Sequence, residues 1–209
     1  MKRPYIVGIY LAAGSSRRFG SNKLSTLWNN KPLGQYGLDV AIHSKLDHVI
    51  VVGREESAMD WLPRSSAAWE LIYCKNTSFG QAYSIRCGLL QAMEKSADAI
   101  IILLADQPFL TTEIIDKIIN TYLQQSTKRT IYFVAASCNQ MIQPPVLFHA
   151  NLFNHLLHLT GDSGAKSLIQ AYEQQGVILD FDKKESFMDI DTKEDWYQME
   201  QRQNKNDMY

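Results

Sequence analysis

Three cations stand in a loop of small residues near the start of the chain. The segment at residues 11–23 reads LAAGSSRRFGSNK, and its cations are Arg17, Arg18 and Lys23. Gly14 and Gly20 add no Cβ, so backbone N–H groups can come close to a polyanion. Arginine offsets phosphate charge as a planar fork and lysine as a point charge. The loop predicts a binding site for a triphosphate or pyrophosphate; the alternative is an ordinary basic loop after a strand.

The loop matches neither of the two common phosphate-binding motifs. The motif G-x-x-x-x-G-K-[ST] is absent, because Gly14 and Gly20 stand too far apart and Lys23 does not follow Gly20 directly. The dinucleotide motif G-x-G-x-x-G is absent too. These two observations disfavour a Walker-type NTPase and a standard Rossmann dehydrogenase.

Carboxylates follow two later apolar segments. Asp106 comes directly after the apolar run at residues 99–105, and Asp189 and Asp191 flank Ile190. With the period of a strand, both flanking carboxylates would point to one side while Ile190 faces the core. Mg²⁺ binds one or two carboxylates together with substrate phosphates, so Asp106 and one of the later pair are candidate metal ligands. The alternatives are that Asp106 starts a turn and that one of the later pair caps the next helix.

Two other loops of small residues open helices and could contact a ligand. In residues 76–84, Gly80 and the helix N-terminus could receive an anion or a ring edge, unless the loop only caps the helix. Residues 160–166 could close over a ligand, or they could form a turn with Asp162 or Ser163 as the cap. The sequence leaves both interpretations open for each loop.

Zinc and hydrolase chemistry find little support in the chain. The histidines at positions 149, 155 and 158 have no acid or cysteine at a zinc-ligand spacing. A Ser-His-Asp hydrolase lacks its G-x-S-x-G elbow. Cys74, Cys87 and Cys138 are odd in number and form no C-x-x-C pair, which disfavours a disulfide framework. We expect free cysteines and therefore a reducing compartment.

The composition is that of an ordinary globular domain. The chain has 209 residues, of which 45% are hydrophobic and 21% charged, and its net charge is −1. It shows no basic excess for a nucleic acid or a membrane surface, and no run approaches the roughly 20 apolar residues that span a bilayer. The apolar run after Met1–Pro4 is short and predicts a first strand rather than a signal peptide. We expect a cytoplasmic protein with neither nucleic-acid nor membrane partners.

Strand and helix patterns alternate along the chain. The predicted strands are 5–11, 49–52, 69–74, 99–105, 131–136, 146–148, 177–181 and 187–190. The predicted helices are 32–44, 81–95, 112–123, 151–159, 163–174 and one that starts at Asp191 or Thr192. The alternation predicts an α/β fold with a mostly parallel sheet and helices on both faces. Ligands of such sheets bind beyond the carboxyl ends of the strands, so the 11–23 loop, Asp106 and Asp191 should share one crevice.

Together these motifs resemble the molybdenum cofactor nucleotidyltransferases, which have a single-domain, Rossmann-like GT-A nucleotidyltransferase fold. Segment 11–23 is similar to the opening motif of that family, and the resemblance extends over residues 5–196. The later matching positions are Asn76, Gly80, Ser84, Gly88, 106–108, 145–148, 161–165 and 189–195. The last two segments are typical of the cytidylyltransferase branch and of related proteins encoded with bacterial purine catabolism genes.

The resemblance implies a Mg²⁺-dependent transfer of CMP from CTP to molybdopterin, with release of pyrophosphate, in the maturation of a xanthine dehydrogenase-type hydroxylase. The nucleotidyltransferase domain would span residues 1–200, and a polar tail would follow at 201–209. The implied nucleotide-binding residues are Leu11, Ala12, Ala13, Gly14, Arg18, Lys23, Asn76, Gly80 and Ser84. The implied catalytic residues are Lys23, Arg18 and Asp106. The implied Mg²⁺ ligands are Asp106 and Asp191.

Three alternatives stand beside this interpretation. The nucleotide could be GTP or another NTP and the acceptor a different phosphorylated molecule, because Gln143-Pro144-Pro145 replaces the usual Gly-His-Pro or Gly-Asn-Pro. The chain could be an NAD(P)H-dependent oxidoreductase, an activity associated with one relative of the family. It could also be a non-catalytic carrier that delivers the cofactor to an apo molybdenum hydroxylase. The presence of both Asp106 and Lys23 favours catalysis over carriage.

Overall fold

The computed structural model describes residues 2–55, 57–75, 77–161 and 165–206. Its strands are β1 (Ile6–Leu11), β2 (Leu27–Trp28), β3 (Lys31–Pro32), β4 (His48–Arg54), β5 (Trp69–Cys74), β6 (Ala99–Leu104), β7 (Phe133–Cys138), β8 (Met141–His149) and β9 (Gly176–Asp180). Its α-helices are α1 (Leu33–Ile42), α2 (Gln81–Glu94), α3 (Thr112–Ser126), α4 (Phe153–Leu157), α5 (Lys166–Ala171) and α6 (Lys193–Asn206). Within the described residues, no helix combines the length and the apolar character needed to cross a bilayer.

Seven of these strands form one sheet in the order β5-β4-β1-β6-β8-β7-β9. β8 runs antiparallel to β6 and β7, and the other neighbouring pairs are parallel. The two-residue strands β2 and β3 pair with each other in a separate antiparallel ribbon. The predicted α/β fold with a mostly parallel sheet is therefore confirmed.

Helices cover both faces of the sheet, as predicted. The central strands β1 and β6 are buried almost throughout, which is what continuous apolar runs in a parallel sheet require. On one face, α1 and α3 pack against the sheet through Leu38 and Ile115. On the other face, α2 and α4 pack through Ile85 and Leu156. This core holds the carboxyl ends of β1, β4 and β6 along one edge.

The helix α2 lies unusually close to the sheet at Gly88. A Cβ at this position would stand 2.4 Å from Ile9 Cγ2 and 3.0 Å from Val52 Cγ2, both on buried strands. Gly88→Ala should gain about 1 kcal/mol of helix propensity but lose more to overpacking, which costs up to about 3 kcal/mol. We expect the free energy of unfolding to fall by about 1–2 kcal/mol, measured by urea denaturation.

A matched control for this change is Gly14→Ala. A Cβ at Gly14 would meet no atom within 4 Å, so the stability should stay within about 0.5 kcal/mol of the parent chain. If Gly88→Ala were as stable as Gly14→Ala, the close approach of α2 to the sheet would be contradicted.

Several predicted elements differ from the observed ones. The helix α4 is shorter than the one predicted at 151–159, α5 ends at Ala171 rather than at 174, and β8 starts at Met141 rather than at 146. Residues 187–190 are predicted as a strand, but the sheet does not include them. Phe187 instead ends a 3₁₀ turn that starts at Lys184. Ile190 nevertheless faces the core as predicted, and it is fully buried. On α2, Met93 is 39% exposed, although it lies at helical spacing from the buried residues Ile85 and Leu89. Ala92 takes that place in the core, because α2 turns its small residues toward the sheet.

The expectation of free cysteines is wrong for two of the three. Cys74 at the end of β5 and Cys87 in α2 are joined by a disulfide, with their Cα atoms 5.9 Å apart. The packing of α2 against β5 brings these two residues together, and their spacing in sequence gives no sign of it. Cys138 is free and buried.

The last helix starts at a reciprocal cap. Thr192 Oγ1 accepts the N–H of Asp195 at 3.1 Å, and Asp195 Oδ2 accepts the N–H of Thr192 at 2.7 Å. Of the two predicted capping residues, Thr192 is therefore the cap. Asp195 also accepts the N–H of Asp191 at 3.0 Å, which fixes the backbone there. The helix runs on to Asn206, so residues 201–206 of the predicted polar tail are helical.

Candidate active site

A cavity of about 460 Å³ opens at the edge where β1, β4 and β6 end. The loop after β1, the end of β4, the start of α2 and the end of β6 each contribute to its wall. The lining residues are Leu11, Ala13, Gly14, Ser15, Arg17, Arg18, Arg54, Thr77, Gly80, Gln81, Ser84, Leu104 and Asp106. This is the crevice that the strand ends predict.

Four charged side chains form one connected cluster beside this cavity. Lys23 Nζ donates to Asp106 Oδ2 at 2.7 Å and to Asp191 Oδ1 at 2.8 Å. Arg18 donates to the second oxygen of Asp191, Oδ2, at 2.8 Å. Two cations therefore face two carboxylates, and we refer to Asp106 and Asp191 as the carboxylate pair.

Local structure positions each member of the cluster. Lys23 starts a 3₁₀ turn that ends the small-residue loop. Asp106 follows β6, and its backbone carbonyl accepts the N–H of Ile190 at 2.9 Å. That hydrogen bond and the burial of Ile190 bring Asp191 to Asp106, although 85 positions separate them in the chain.

The pKa of Lys23 is raised above its ordinary value. Burial opposes the charged form, because the side chain is only 8% exposed, but the charges and hydrogen bonds of Asp106 and Asp191 outweigh it. Lys23 is therefore an ammonium at neutral pH. The pKa of Asp189 is raised to about 6, first by desolvation among its neighbours and then by the charge of Asp106.

The carboxylate pair fits a magnesium ion that also binds phosphate. Both carboxylates converge on the single ammonium of Lys23, so one small cation can touch both. Among the described residues there is no group of three or more His, Cys, Asp or Glu side chains that could hold a metal by themselves. Mg²⁺ commonly takes one or two carboxylates and completes its shell with substrate phosphates and water. The carboxylate pair matches a site of this kind, in which substrate phosphates and water complete the shell of the metal.

The structure brings most of the predicted site residues together. Leu11, Ala13, Gly14, Arg18, Gly80, Ser84 and Asp106 line the cavity. Lys23 and Asp191 join it through their contacts with Asp106 and Arg18. Ala12 is buried, and its N–H already donates to Val52 O at 2.9 Å, so this amide is engaged within the sheet. Asn76 and the 162–164 segment lie outside the described residues.

Sequence reasoning did not single out Arg54, whose side chain also lines the cavity. Arg54 is the last residue of β4 and pairs in register with Cys74 of β5. The rule that ligands bind beyond the carboxyl ends of strands could have found it, because it directly follows the apolar run of β4.

The histidines hold structural hydrogen bonds. His149 accepts the N–H of Asn151 at 3.0 Å, and His155 Nε2 lies 3.0 Å from the hydroxyl of Tyr172. His158 Nδ1 lies 2.6 Å from the carbonyl of Asn154. Each of these three histidines therefore has a ring nitrogen in contact with a group of the protein.

A smaller cavity of about 180 Å³ adjoins the first and shares Gln81 with it. Apolar side chains form most of its wall, and Gln81, Gln143 and Lys166 are its polar members. Ile102 lies in its wall two residues before Leu104, which lines the larger cavity. The two cavities therefore follow one another along the same face of β6.

The chain belongs to the MobA-like NTP transferase family, whose domain model matches residues 8–176. The family is one of nucleotidyltransferases, and the chain is therefore a nucleotidyltransferase. It is 34% identical over 178 residues to the purine catabolism protein PucB of Bacillus subtilis (strain 168), covering 82% of this chain and 83% of that protein.

Solved structures share the fold at lower identity. Rv0371c from Mycobacterium tuberculosis H37Rv superposes with a TM-score of 0.78 at 22% identity, covering 95% of this chain and 98% of that chain. Rv0371c is also known in a complex with manganese, with a TM-score of 0.72 at 20% identity, covering 93% and 97% of the two chains. CMP:2-keto-3-deoxy-manno-octonic acid synthetase, complexed with CTP, has a TM-score of 0.67 at 13% identity, covering 98% and 100%.

Proposed function

We propose that this nucleotidyltransferase transfers CMP from CTP to the terminal phosphate of molybdopterin and releases pyrophosphate, with Mg²⁺ as its metal. The observation that carries the proposal is the cluster in which Lys23 and Arg18 meet the carboxylate pair beside the larger cavity. Cations that can bind a triphosphate and carboxylates that can bind its metal stand side by side there. PucB, whose name refers to purine catabolism, supports a role in maturing a xanthine dehydrogenase-type hydroxylase.

The side chains of the cluster divide the work between charge and position. The attacking group is already an anionic phosphate, so the barrier consists mainly of charge repulsion and alignment. Arg18 and Lys23 would hold the triphosphate and stabilise the charge that develops on the leaving pyrophosphate. Asp106 and Asp191 would hold Mg²⁺, which supplies Lewis-acid stabilisation of phosphoryl oxygens when bound. No covalent enzyme intermediate is needed.

The base would lie between the loop after β1 and the start of α2. Ala13, Arg54, Gln81 and Ser84 line this part of the larger cavity and carry donors and acceptors at its wall. The choice of cytosine rests on the late motifs of the cytidylyltransferase branch, at residues 161–165 and 189–195.

The smaller cavity is where we place the body of the acceptor. It adjoins the larger cavity at Gln81, so an acceptor could lie along β6 with its phosphate toward Asp106. Lys166 adds a cation to the otherwise mainly apolar wall. Gln143 and Pro144, which depart from the motif of the branch, both line this cavity and would set which acceptor fits.

We expect CTP to bind at least about tenfold more tightly than GTP, ATP or UTP, a difference of about 1.4 kcal/mol. The physical reason is that a buried polar group left unpaired by the wrong base costs about 1–3 kcal/mol. Competition binding of the four nucleotides at equal Mg²⁺ measures the preference. Tighter binding of GTP would reassign the chain to guanylyl transfer.

Turnover tests the reaction itself. Pyrophosphate release that requires CTP, molybdopterin and Mg²⁺ together is the expected result. Binding of molybdopterin without pyrophosphate release would support the carrier instead. Saturable NADPH binding in the absence of CTP binding would support the oxidoreductase.

A further inference from the structure

We propose that Lys23 closes the carboxylate pair to free divalent cations, so that the metal enters the site only with the nucleotide. The inference rests on the proposed function, because it assigns an order to the binding of the metal and the triphosphate. Before the nucleotide binds, the ammonium of Lys23 neutralises the carboxylate pair. When the nucleotide binds, the metal would replace this ammonium.

The contacts of Lys23 place its ammonium where a metal would have to bind. Nζ lies 2.7 Å from Asp106 and 2.8 Å from Asp191, and so it bridges the pair. Asp106 and Asp191 would hold a magnesium ion through the same carboxylate oxygens that accept these hydrogen bonds. Metal and ammonium therefore exclude each other from this position.

Burial keeps Lys23 in place while the site is empty. The side chain is 8% exposed, whereas that of Arg18 is 71% exposed. A buried ammonium that left its carboxylates without a new anionic partner would remain poorly solvated. Free Mg²⁺ offers the lysine no such partner, so the exchange is unfavourable.

The charge balance points the same way. Lys23 and Arg18 supply two positive charges against the two negative charges of the carboxylate pair. An approaching divalent cation therefore meets a neutralised pair rather than an open dianionic site.

A triphosphate removes both obstacles at once. Its oxygens offer Lys23 and Arg18 a new anionic partner, and they supply the ligands that two carboxylates alone lack. Lys23 starts the turn that ends the small-residue loop, so Nζ would move from the pair toward a triphosphate held by that loop. Asp106 and Asp191 would then be free to hold the metal.

The test measures Mn²⁺ binding without nucleotide by electron paramagnetic resonance. Lys23→Met should bind Mn²⁺ at least about tenfold more tightly than the parent chain. Arg18→Met is the matched control, because it removes the same charge from the same cluster but leaves Lys23 between the carboxylates. It should raise the affinity far less. Lys95→Met, which removes a lysine from an ion pair with Glu70, should leave the affinity unchanged.

Equal gains in Lys23→Met and Arg18→Met would overturn the inference, because the effect would then be general charge. So would parent-like Mn²⁺ binding in a folded Lys23→Met chain. Lys23→Gln repeats the test with a neutral side chain that keeps a donor for the carboxylates, in case Lys23→Met does not fold. Calorimetry of CTP on the parent chain separates the two proposals. Absence of CTP binding would overturn the proposed function, whereas CTP binding with unaltered Mn²⁺ affinity in both Lys23 variants would overturn the order alone.

Discussion

Asp106→Asn is expected to lower turnover at saturating CTP and Mg²⁺ by at least about 100-fold, equivalent to about 3 kcal/mol of transition-state stabilisation. An amide oxygen is a poor ligand for a hard divalent cation, and Asp191 is then the one carboxylate of the pair that remains. The change should leave metal-free CTP binding largely intact. Steady-state pyrophosphate release across a Mg²⁺ titration measures the loss.

Asp98→Asn is a suitable control for this variant. Asp98 precedes β6 just as Asp106 follows it, and its Oδ2 accepts the N–H of Tyr5 at 2.8 Å, a bond that an asparagine oxygen can also accept. This variant should keep parent turnover. Parent turnover in Asp106→Asn as well, at every Mg²⁺ concentration, would reduce Asp106 to a turn residue.

Lys23→Ala should weaken CTP binding by about 100-fold and Arg18→Ala by about tenfold, because a hydrogen bond to a charged group is worth about 1.5–3 kcal/mol. Lys23 has the larger effect because it is buried and therefore little screened, whereas Arg18 is mostly exposed. Both chains should fold, since neither side chain fills an apolar core. Calorimetric titration with CTP gives the two constants.

Arg3→Ala serves as the control for the arginine. Arg3 pairs with Asp47 in an exposed salt bridge away from the cavity, so its removal should not change CTP affinity. If Lys23→Ala and Arg18→Ala bound CTP as well as Arg3→Ala did, the loop at residues 11–23 would not be the phosphate site.

The central part of the fold follows from local sequence patterns. The runs that form β1 and β6 are predicted almost to the residue, because apolar stretches bounded by turns specify buried parallel strands. The same patterns place Asp106 and the loop after β1 at strand ends, and the edge of a parallel sheet brings such ends together. Three of the four members of the charged cluster, Arg18, Lys23 and Asp106, are therefore predictable from the strand ends alone.

The start of β8 could not be predicted in this way. Pro144 and Pro145 interrupt the pattern, since a proline gives no N–H to a ladder. In the structure, the pairing with β7 passes directly from Val146 to Gln143, so both prolines fall in a bulge where no ladder partner is required. The pairing of β6 with β8 also stops at Val146. Only the tertiary register shows that the prolines are tolerated.

Contacts between distant segments could not be predicted from the sequence either. The hydrogen bond from Ile190 to the carbonyl of Asp106, rather than a strand, brings Asp191 to the site. The Cys74–Cys87 disulfide likewise depends on how α2 lies against β5. Both depend on packing across the molecule, which a spacing rule along the chain does not describe.

The reversed direction of β8 has a consequence for how the protein can evolve. The turn at Asn139–Gln140 is exposed and joins β7 to β8 at the same edge as Asp106. The turn belongs to the hairpin of β7 and β8, whereas the loop at residues 11–23 follows β1, so the two are separate segments of the chain. Insertions or exchanges in the hairpin can therefore reshape one side of the crevice while the other is inherited unchanged. Relatives with this topology can therefore change their acceptor by substitutions in the hairpin alone. Chimeras that swap residues 138–146 between relatives should retain their nucleotide preference.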